Sequence, residues 1–568
     1  MRKIKYLMVL CTVMLSAFSV ACSSKDADSE KNDDTTTTTP AVTTVVTTTT
    51  ENPQTTVTVN NQTTVSDTTA PDVSDSETGE TTTVLTTTTS IDKITTTLDS
   101  KQTSKTSKTT TKKTTTTKKT TTKATTTKKV TTTTSLKDKL EKKHDIPIIN
   151  VDTNGKNITS LKDYVDCTVD LFNVDDEYEL TDVDAGIRVR GNSSAFYGDV
   201  SQILKNQVPY RIKFDTKTNM LGLNDGAKCK SWVLLKAEWN LITNDLALRM
   251  GNALFEGQDN FCSDGQLCHV YVNDKFKGIY LLCEQSQINK NRVNINEVAE
   301  GYTGTDIGYL IEIDNYAGND PEEYWFNMTY ADNPTLTDIE GTTRKIESSG
   351  YTIKNDIYSQ KQVDYISKYT NNVYKILYEA CVNDNYKTLD SNNNIVNSNF
   401  KNAKDTVNAV VDLESIVNMY ILDEIVHDYD CGEGSFFMCV DFSANSKCKK
   451  LRFTAPWDFN WAYNDEAKNK YWAGAFCKQS FVNQYGDRTN PWYVLLASED
   501  WFMDLVKERW TELNKSKAIR NAIKDEINQI ETYKDDLNFV EEWATGSAYN
   551  VIYWVYDRLD WLDKVWLS

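Results

Sequence analysis

From Ser23 to about Ser135 the chain is so rich in threonine, and so poor in large apolar residues, that it has almost nothing to bury. A segment of that composition cannot offset the entropy cost of folding. Any packed core must therefore come from the residues that follow. The tract is interrupted first by Asp, Glu and Asn and later by Lys pairs. It reads as a disordered spacer, with hydroxyls open to O-glycosylation and enough length to cross a cell wall. The Lys pairs suit contact with anionic wall polymers, although solubility and reach explain them more simply.

The residues before the tract set the expected compartment. Arg2, Lys3 and Lys5 precede an apolar run from Leu7 to Val20, and Ser19-Val20-Ala21 places small residues directly before Cys22. This is the pattern of a secretory signal. A cysteine at that point resembles a lipobox, in which it is diacylated and becomes the new N-terminus. Ser19 stands where leucine is usual. Lipid attachment at Cys22 is the expectation, with plain secretion as the alternative. No later stretch reaches the roughly eighteen apolar residues of a membrane span, so the lipid would be the only membrane contact. The expected organisation is a signal over 1–22, a linker over 23–135 and one folded region over 136–568. The chain would then be extracytoplasmic, lipid-anchored to a bacterial cell membrane and exposed at the surface.

Charge and cysteine content narrow the chemistry of the folded region. Residues 1–145 hold 20 Lys and Arg and 16 Asp and Glu; removing them from chain totals of 62 and 81 leaves 42 and 65, a net of −23. Such an acidic region argues against nucleic acid as a partner, because neutralising phosphates needs Lys and Arg. The ten cysteines beyond Cys22 form no C-x-x-C pair and there are only three histidines, which argues against a zinc site. Cys262 with Cys268, or Cys439 with Cys448, suit local disulfides in an exported protein; free buried thiols are the equal alternative.

Strand and helix periodicities divide the folded region. Cys167–Phe172, Gly186–Gly191 and Pro209–Phe214 alternate apolar and polar residues, with Tyr210, Ile212 and Phe214 on one face and Arg211 and Lys213 on the other. Trp232–Lys236 is a further strand, Asn240–Phe255 an amphipathic helix, and His269–Val272 pairs with Lys277–Glu284 across the turn Asn273-Asp274. Gly308–Asp314 and Lys450–Phe453 read as strands. Gln362–Val382 and Val411–Val426 read as amphipathic helices, and Pro491–Ser568 as helical throughout. The tryptophans of that tail, at helical spacing, read as core rather than as a sugar-binding platform.

Five pieces occur in order over about a hundred residues: Arg190-Gly-Asn192-Ser193-Ser194, Pro209-Tyr-Arg-Ile-Lys213-Phe, Trp232-Val-Leu-Leu, Asp245-x-x-x-Arg249, and Asn273-Asp-x-x-x-Gly-Ile-Tyr-Leu-Leu-x-Glu284. No single piece is specific, but their order resembles the spore-coat protein H (CotH) family of atypical, protein-kinase-like phosphotransferases. The resemblance implies an α+β, two-lobed kinase-like fold. Its β-rich N-lobe would lie over about 146–290 and its helical C-lobe over about 300–568, with extra C-terminal helices. It further implies ATP with Mg²⁺ (or Mn²⁺) as cofactors and Ser or Thr of an exported or surface protein as acceptor.

The same resemblance assigns roles. Lys213 would bind nucleotide phosphates, aided by Arg190, Asn192, Ser193 and Ser194 in place of a glycine-rich loop, and Glu284 would sit beside the adenine. Asp430, in His427-Asp-Tyr-Asp430-Cys-Gly-Glu-Gly-Ser435, corresponds to the catalytic Asp. Asp458, in Pro456-Trp-Asp458-Phe-Asn460, corresponds to the metal-binding Asp, with Ser435 as second metal ligand. Ser435 replaces the family's Asn, and Asn460 replaces the second Asp of a Trp-Asp-x-Asp pattern. These departures keep open a second reading, a non-catalytic surface binding or adhesion module on a degenerate kinase fold. Asp245 and Arg249 could equally pair with each other, and His427 reads as structural. A glycosidase built on paired carboxylates has only the abundance of Asp, Glu and Trp in its favour.

Overall fold

The computed structural model describes residues 43–51, 54–62, 135–141, 143–237, 241–463, 468–476, 489–540 and 544–568. The signal region with Cys22 lies outside the described residues, as do most of the Thr-rich tract, Cys477 and Trp543. The chain divides into two compact units, residues 1–124 and 125–568. In the first, Thr43–Glu51 pairs antiparallel with Gln54–Gln62, where the sequence predicts no regular structure. Thr and Val favour extended backbone, so such a ribbon needs no core, although two strands alone are only marginally stable in water.

The second unit is α+β. It opens with seven strands: β1 (Ile148–Asp152), β2 (Val165–Phe172), β3 (Leu180–Val189), β4 (Tyr210–Thr218), β5 (Cys229–Lys236), β6 (Gly265–Val272) and β7 (Lys275–Glu284). They close into a barrel in the order β1–β2–β3–β4–β5–β7–β6. The alternation seen in the sequence becomes inside and outside. Tyr210, Ile212 and Phe214 are buried in the barrel with Val169, Ile187, Leu234 and Leu282, while Lys213 stays exposed. Trp232 is wholly buried there and its Nε1–H donates to the Thr218 carbonyl at 3.0 Å. The β6–β7 turn, Asn273-Asp274, has φ of 51° and 60°, the left-handed pair that matches strand twist in a two-residue hairpin. Closure itself comes from β1, which the sequence analysis left unassigned: it runs parallel to β6, with Ile148 opposite His269.

Helix α1 (Thr243–Phe255) packs Leu246, Met250 and Leu254 into a second, larger core that also takes Val233 and Leu281 from the outer face of the barrel. Gly251 permits this approach. A Cβ there would lie 2.8 Å from Cys262 Sγ and 3.3 Å from Leu422, too close for any other residue without displacement.

A second sheet follows, built from β8 (Gly308–Ile313), β9 (Trp325–Met328), β10 (Ser349–Ile353), β11 (Phe436–Asp441) and β12 (Arg452–Thr454) in the order β9–β10–β8–β11–β12. Helices α2 (Gln360–Val382), α3 (Ala403–Val410), α4 (Leu413–Val426), α5 (Pro491–Ala497), α6 (Asp500–Ser516), α7 (Ala518–Thr532), α8 (Lys534–Val540) and α9 (Ala544–Trp566) complete the unit. One expectation is corrected here. The predicted amphipathic helix Val411–Val426 is α4 alone, beginning at Leu413, and every residue from Ser415 to Val426 is buried. Val411 lies outside the helix and bridges to Leu451 instead. A helix buried on all sides carries no polar stripe. The tail is core as expected: Trp492, Trp510, Trp554 and Trp566 are all buried.

Because α4 is enclosed, its carboxylates need internal partners. Glu424 and Arg558 of α9, both fully buried, meet at 2.6 Å. Arg558 Nε–H donates to the Glu424 carbonyl, and Nη1–H donates to the carbonyls of Lys468 and Lys470. Glu424 also accepts from the Tyr420 hydroxyl and from the Trp472 and Gly474 amides. Such a pair offsets its desolvation only while every partner stays in place. Arg558→Met alone is expected to cost about 3–5 kcal/mol in urea unfolding, and the Glu424→Gln/Arg558→Met pair to regain part of it. An unchanged midpoint for the single variant would remove this pair from the stability argument.

Candidate active site

Two turns carry the carboxylates that the sequence singled out. Helix α4 ends at His427, whose left-handed backbone (φ 51°) leads the chain out of the helix. Its buried imidazole stacks on Trp472 at 4.8 Å and meets Trp554 edge-on, the packing role expected of it. Beyond it, the Asp430 carbonyl accepts from the Glu433 and Gly434 amides at 2.9 Å each. This tight turn delivers Ser435 to the start of β11, leaving Asp430 half-buried.

The second turn follows β12. Asp458 has a left-handed backbone (φ 65°), and the Ser435 hydroxyl lies 3.5 Å from its Oδ2. Asn460 Nδ2–H donates to Asp458 Oδ1 at 2.7 Å. Asn244 of α1 clamps the turn from outside: Nδ2–H donates to Asn460 Oδ1, and Oδ1 accepts the Phe459 amide, both at 2.9 Å. The departure at Asn460 thus has a use, since an amide supplies a donor to Asp458 that a carboxylate lacks.

The barrel contributes a cation. Arg190, at the end of β3, lies over the Trp457 ring at 5.3 Å, a cation–π contact. Burial lowers the pKa of its guanidinium, opposed first by the Asp458 charge. In turn burial pushes the Asp458 carboxyl above its ordinary value, and Arg190 followed by Ser435 opposes that rise. Arg190, Asp458, Ser435 and Asn460 therefore form one electrostatic group.

Two parts of this group escaped the sequence analysis. Asp428 is buried and accepts the Asp430 amide at 3.2 Å. Burial raises its pKa strongly, and the charges of Asp423, Asp430 and Asp458 add to the rise. It stood in plain view in the run His427-Asp-Tyr-Asp430, two residues from the Asp that was chosen. The second part is on the sheet. Lys354 Nζ lies 2.7 Å from Glu312, 3.5 Å from Asp314 and 3.9 Å from Glu323. Burial raises the Glu312 pKa to about 7, with Lys354 opposing and Asp314 adding. Glu312 also acts on Arg190. In sequence it is merely one alternate residue of a strand, without a motif to mark it.

The other proposed residues fall at varied distances from this group. Asn192 and Ser193 are exposed and Ser194 half-buried in the turn that follows Arg190. Gly191 there has φ 91°, and a Cβ would strike Ser194 Oγ at 2.3 Å. Lys213 is exposed on β4, its ammonium 5.9 Å from the centre of the Tyr164 ring. Glu284 is buried in an ion pair with Arg292 at 3.0 Å and accepts from Asn224 Nδ2–H. It borders a cavity of about 520 Å³ whose lining includes Arg249, Asp264 and Asp525 and neither Asp430 nor Asp458. Asp245 follows the pairing alternative: it meets Arg249 at 3.2 Å and accepts from Gln529 Nε2–H at 2.6 Å.

Among the described residues, no group of three or more His, Cys, Asp or Glu side chains is arranged to hold a metal ion. The donors nevertheless fit Mg²⁺, which takes hard oxygens and is commonly held by one or two carboxylates together with substrate phosphates and water. Asp458 and Ser435 offer a carboxylate and a hydroxyl on one side. Burial, and after it the charges of Asp423, Asp430 and Asp458, raise the Asp428 pKa, so a cation bound beside these carboxylates would favour their charged forms. Residues 187–538, more than half of the chain, match the family described as CotH kinase protein. No curated protein matches the chain.

The Glu312 cluster yields a pH test. Its carboxyl has an ordinary value of 4.5 and a folded value of about 7, so folding favours the protonated form. That contribution is fully present below pH 4.5 and is lost as pH rises through 7. Glu312→Gln lacks the loss. Its stability relative to wild type should therefore rise across this window, by up to about 3 kcal/mol, in urea unfolding at stepped pH. A difference that stays flat with pH would assign the proton elsewhere.

Proposed function

Because the chain belongs to the CotH kinase family, we propose that it is a protein kinase, transferring the terminal phosphoryl group of ATP to Ser or Thr of an exported or surface protein. The observation that carries this reading is the turn that holds Asp458, with the Ser435 hydroxyl 3.5 Å from its carboxylate and Arg190 of the barrel over the adjoining Trp457 ring, near enough for its charge to act on Asp458. Phosphoryl transfer asks for little covalent work from the protein. It needs a base or orienting group at the acceptor hydroxyl, an oxygen site for the metal, and cations against the phosphates. A β-barrel followed by a half that combines a five-stranded sheet with helices is compatible with a two-lobed arrangement, although the expected C-lobe is not helical throughout.

Within this proposal Asp430 accepts a hydrogen bond from the acceptor hydroxyl and takes its proton as the oxygen attacks. Asp458 and Ser435 would hold Mg²⁺, whose charge would offset that of the phosphates. Asn460 and Asn244 keep Asp458 turned toward that task. Arg190, kept in place by Trp457, faces the charge on the transferred group. Lys213 and the exposed Asn192 and Ser193 would reach the outer phosphates, and Glu284 supports the barrel end through Arg292. The setting belongs to the proposal as well: export by the N-terminal signal, lipid attachment at Cys22, and presentation on the Thr-rich stalk.

A second reading, a surface binding module on this fold, is favoured by one observation. Ser435 reaches Asp458 only at 3.5 Å, and a hydroxyl is a weaker metal ligand than the amide oxygen it replaces. Incubation of the whole chain with labelled ATP and Mg²⁺ or Mn²⁺ separates the two. Wild type should transfer label to itself or a generic acceptor, and Asp430→Ala and Asp458→Ala should each reduce transfer by at least about 100-fold. Neither transfer nor metal-dependent ATP binding would leave the binding module.

A further inference from the structure

We infer that Cys439 and Cys448 are a disulfide-forming pair that staples the β11–β12 hairpin directly behind the candidate active site. Their sulfurs lie 3.8 Å apart in the interior, each residue at most 3 % exposed. Cys439 stands on β11 opposite Arg452 of β12. Cys448 lies in the connection between the strands, where its carbonyl accepts the Asp441 amide at 2.8 Å. This hydrogen bond already holds the backbone of the connection against β11. Bond formation then needs only a side-chain movement of roughly 1.8 Å to reach a normal S–S length.

The other cysteines behave differently. Cys262 and Cys268, the alternative local pair in the sequence, belong to separate cores, Cys262 against α1 and Cys268 inside the barrel. Cys262 Sγ–H instead donates to the Leu248 carbonyl. Among the described cysteines, Cys439 and Cys448 have the recorded sulfur–sulfur contact. The contact also divides their acidity: the hydrogen bond between them lowers the Cys448 pKa and raises that of Cys439.

The step balances with a low-molecular-weight disulfide, such as glutathione disulfide, as oxidant. The Cys448 thiolate attacks one sulfur of the oxidant and expels the first small thiolate, leaving a mixed disulfide. Cys439, losing its proton to solvent, then attacks the Cys448 sulfur and expels the second. Two protein thiols and one small disulfide become one protein disulfide and two small thiols. Because both sulfurs are buried, exchange proceeds while the chain folds or opens. An extracytoplasmic setting would provide a compatible redox environment, but the geometry itself does not depend on kinase activity.

The position gives the bond its consequence. β11 begins immediately after Ser435, and β12 leads through Pro456 to Asp458. A covalent link across the hairpin would limit how far the two turns can separate when the chain opens.

The test uses the whole chain, purified with its thiols reduced and incubated with excess glutathione disulfide, in buffer and in urea below the unfolding midpoint. Free thiols are then alkylated in denaturant and the digested peptides analysed by mass spectrometry. A Cys439–Cys448 linked peptide in either arm is the expected result. The oxidised protein should also unfold a few degrees higher than the reduced one. Cys448→Ser should leave Cys439 alkylatable or carrying glutathione, with no other linked partner. Complete alkylation of both thiols in both wild-type arms, or linkage of either to another cysteine, would overturn the inference.

Discussion

The buried Glu424–Arg558 pair sets the terms for much of the second unit. Helix α4 runs through the interior, and its last turn must hold a carboxylate where water cannot reach. Arg558 arrives from α9, more than a hundred residues later, and meets both the carboxylate and the carbonyl of Glu424. The same guanidinium ties down the carbonyls of Lys468 and Lys470, while Glu424 collects the amides of Trp472 and Gly474. One ion pair thus organises the end of α4, the segment after Asp458, and the C-terminal helix. A buried pair of this kind contributes little net stability compared with an apolar replacement, but it tolerates very few arrangements of its surroundings. The turn that carries Asp428 and Asp430 inherits its position from that constraint.

The candidate active site is held by a similar balance of unlike contributions. Asp458 is pushed toward its neutral form by burial and pulled back by Arg190. Arg190 is itself penalised by burial and supported by Asp458. The barrel supplies the arginine and the turn after β12 the carboxylate, and the charge of each eases the burial of the other. Asn244 adds a directional link from α1 to the Asp458 turn, one that requires hydrogen bonds rather than charge. Glu312 and Lys354 extend the group onto the sheet, where three carboxylates surround one ammonium.

Legibility in the sequence followed the range of the interaction concerned. Strands β2 to β4 announced themselves through alternation, since a half-buried strand repeats every second residue, while β5 to β7 showed as short apolar runs beside a turn signal. The Asn273-Asp274 turn was visible because few residues tolerate left-handed backbone. β1 was missed for the opposite reason: Ile148 to Val151 is buried throughout, so it has no alternation to read. α4 was found but given the wrong character, because a wholly enclosed helix and an amphipathic one share many apolar positions. Asp430, Asp458, Ser435 and Arg190 were picked out by ordered motifs; Ser435 lies 3.5 Å from Asp458, and Arg190 lies over the adjoining Trp457 ring. Asp245, Lys213 and Glu284 came from the same motifs, yet their observed contacts are Arg249 with Gln529, the Tyr164 ring, and Arg292.

By itself the sequence determined where a core can exist, most of the strands and helices that form, and the ordered motifs that resemble a known family. These are local matters of composition, periodicity and backbone preference, and each can be settled within a few neighbouring residues. Only the tertiary structure decided that the β-rich half closes into a barrel, that Glu424 waits for Arg558, that Arg190 lies over Trp457 beside the Asp458 turn, and that Cys439 faces Cys448 rather than Cys262 facing Cys268. Those outcomes depend on distances between residues far apart in the chain. Burial energy and charge neutralisation are properties of the assembled neighbourhood, so no stretch of sequence contains them.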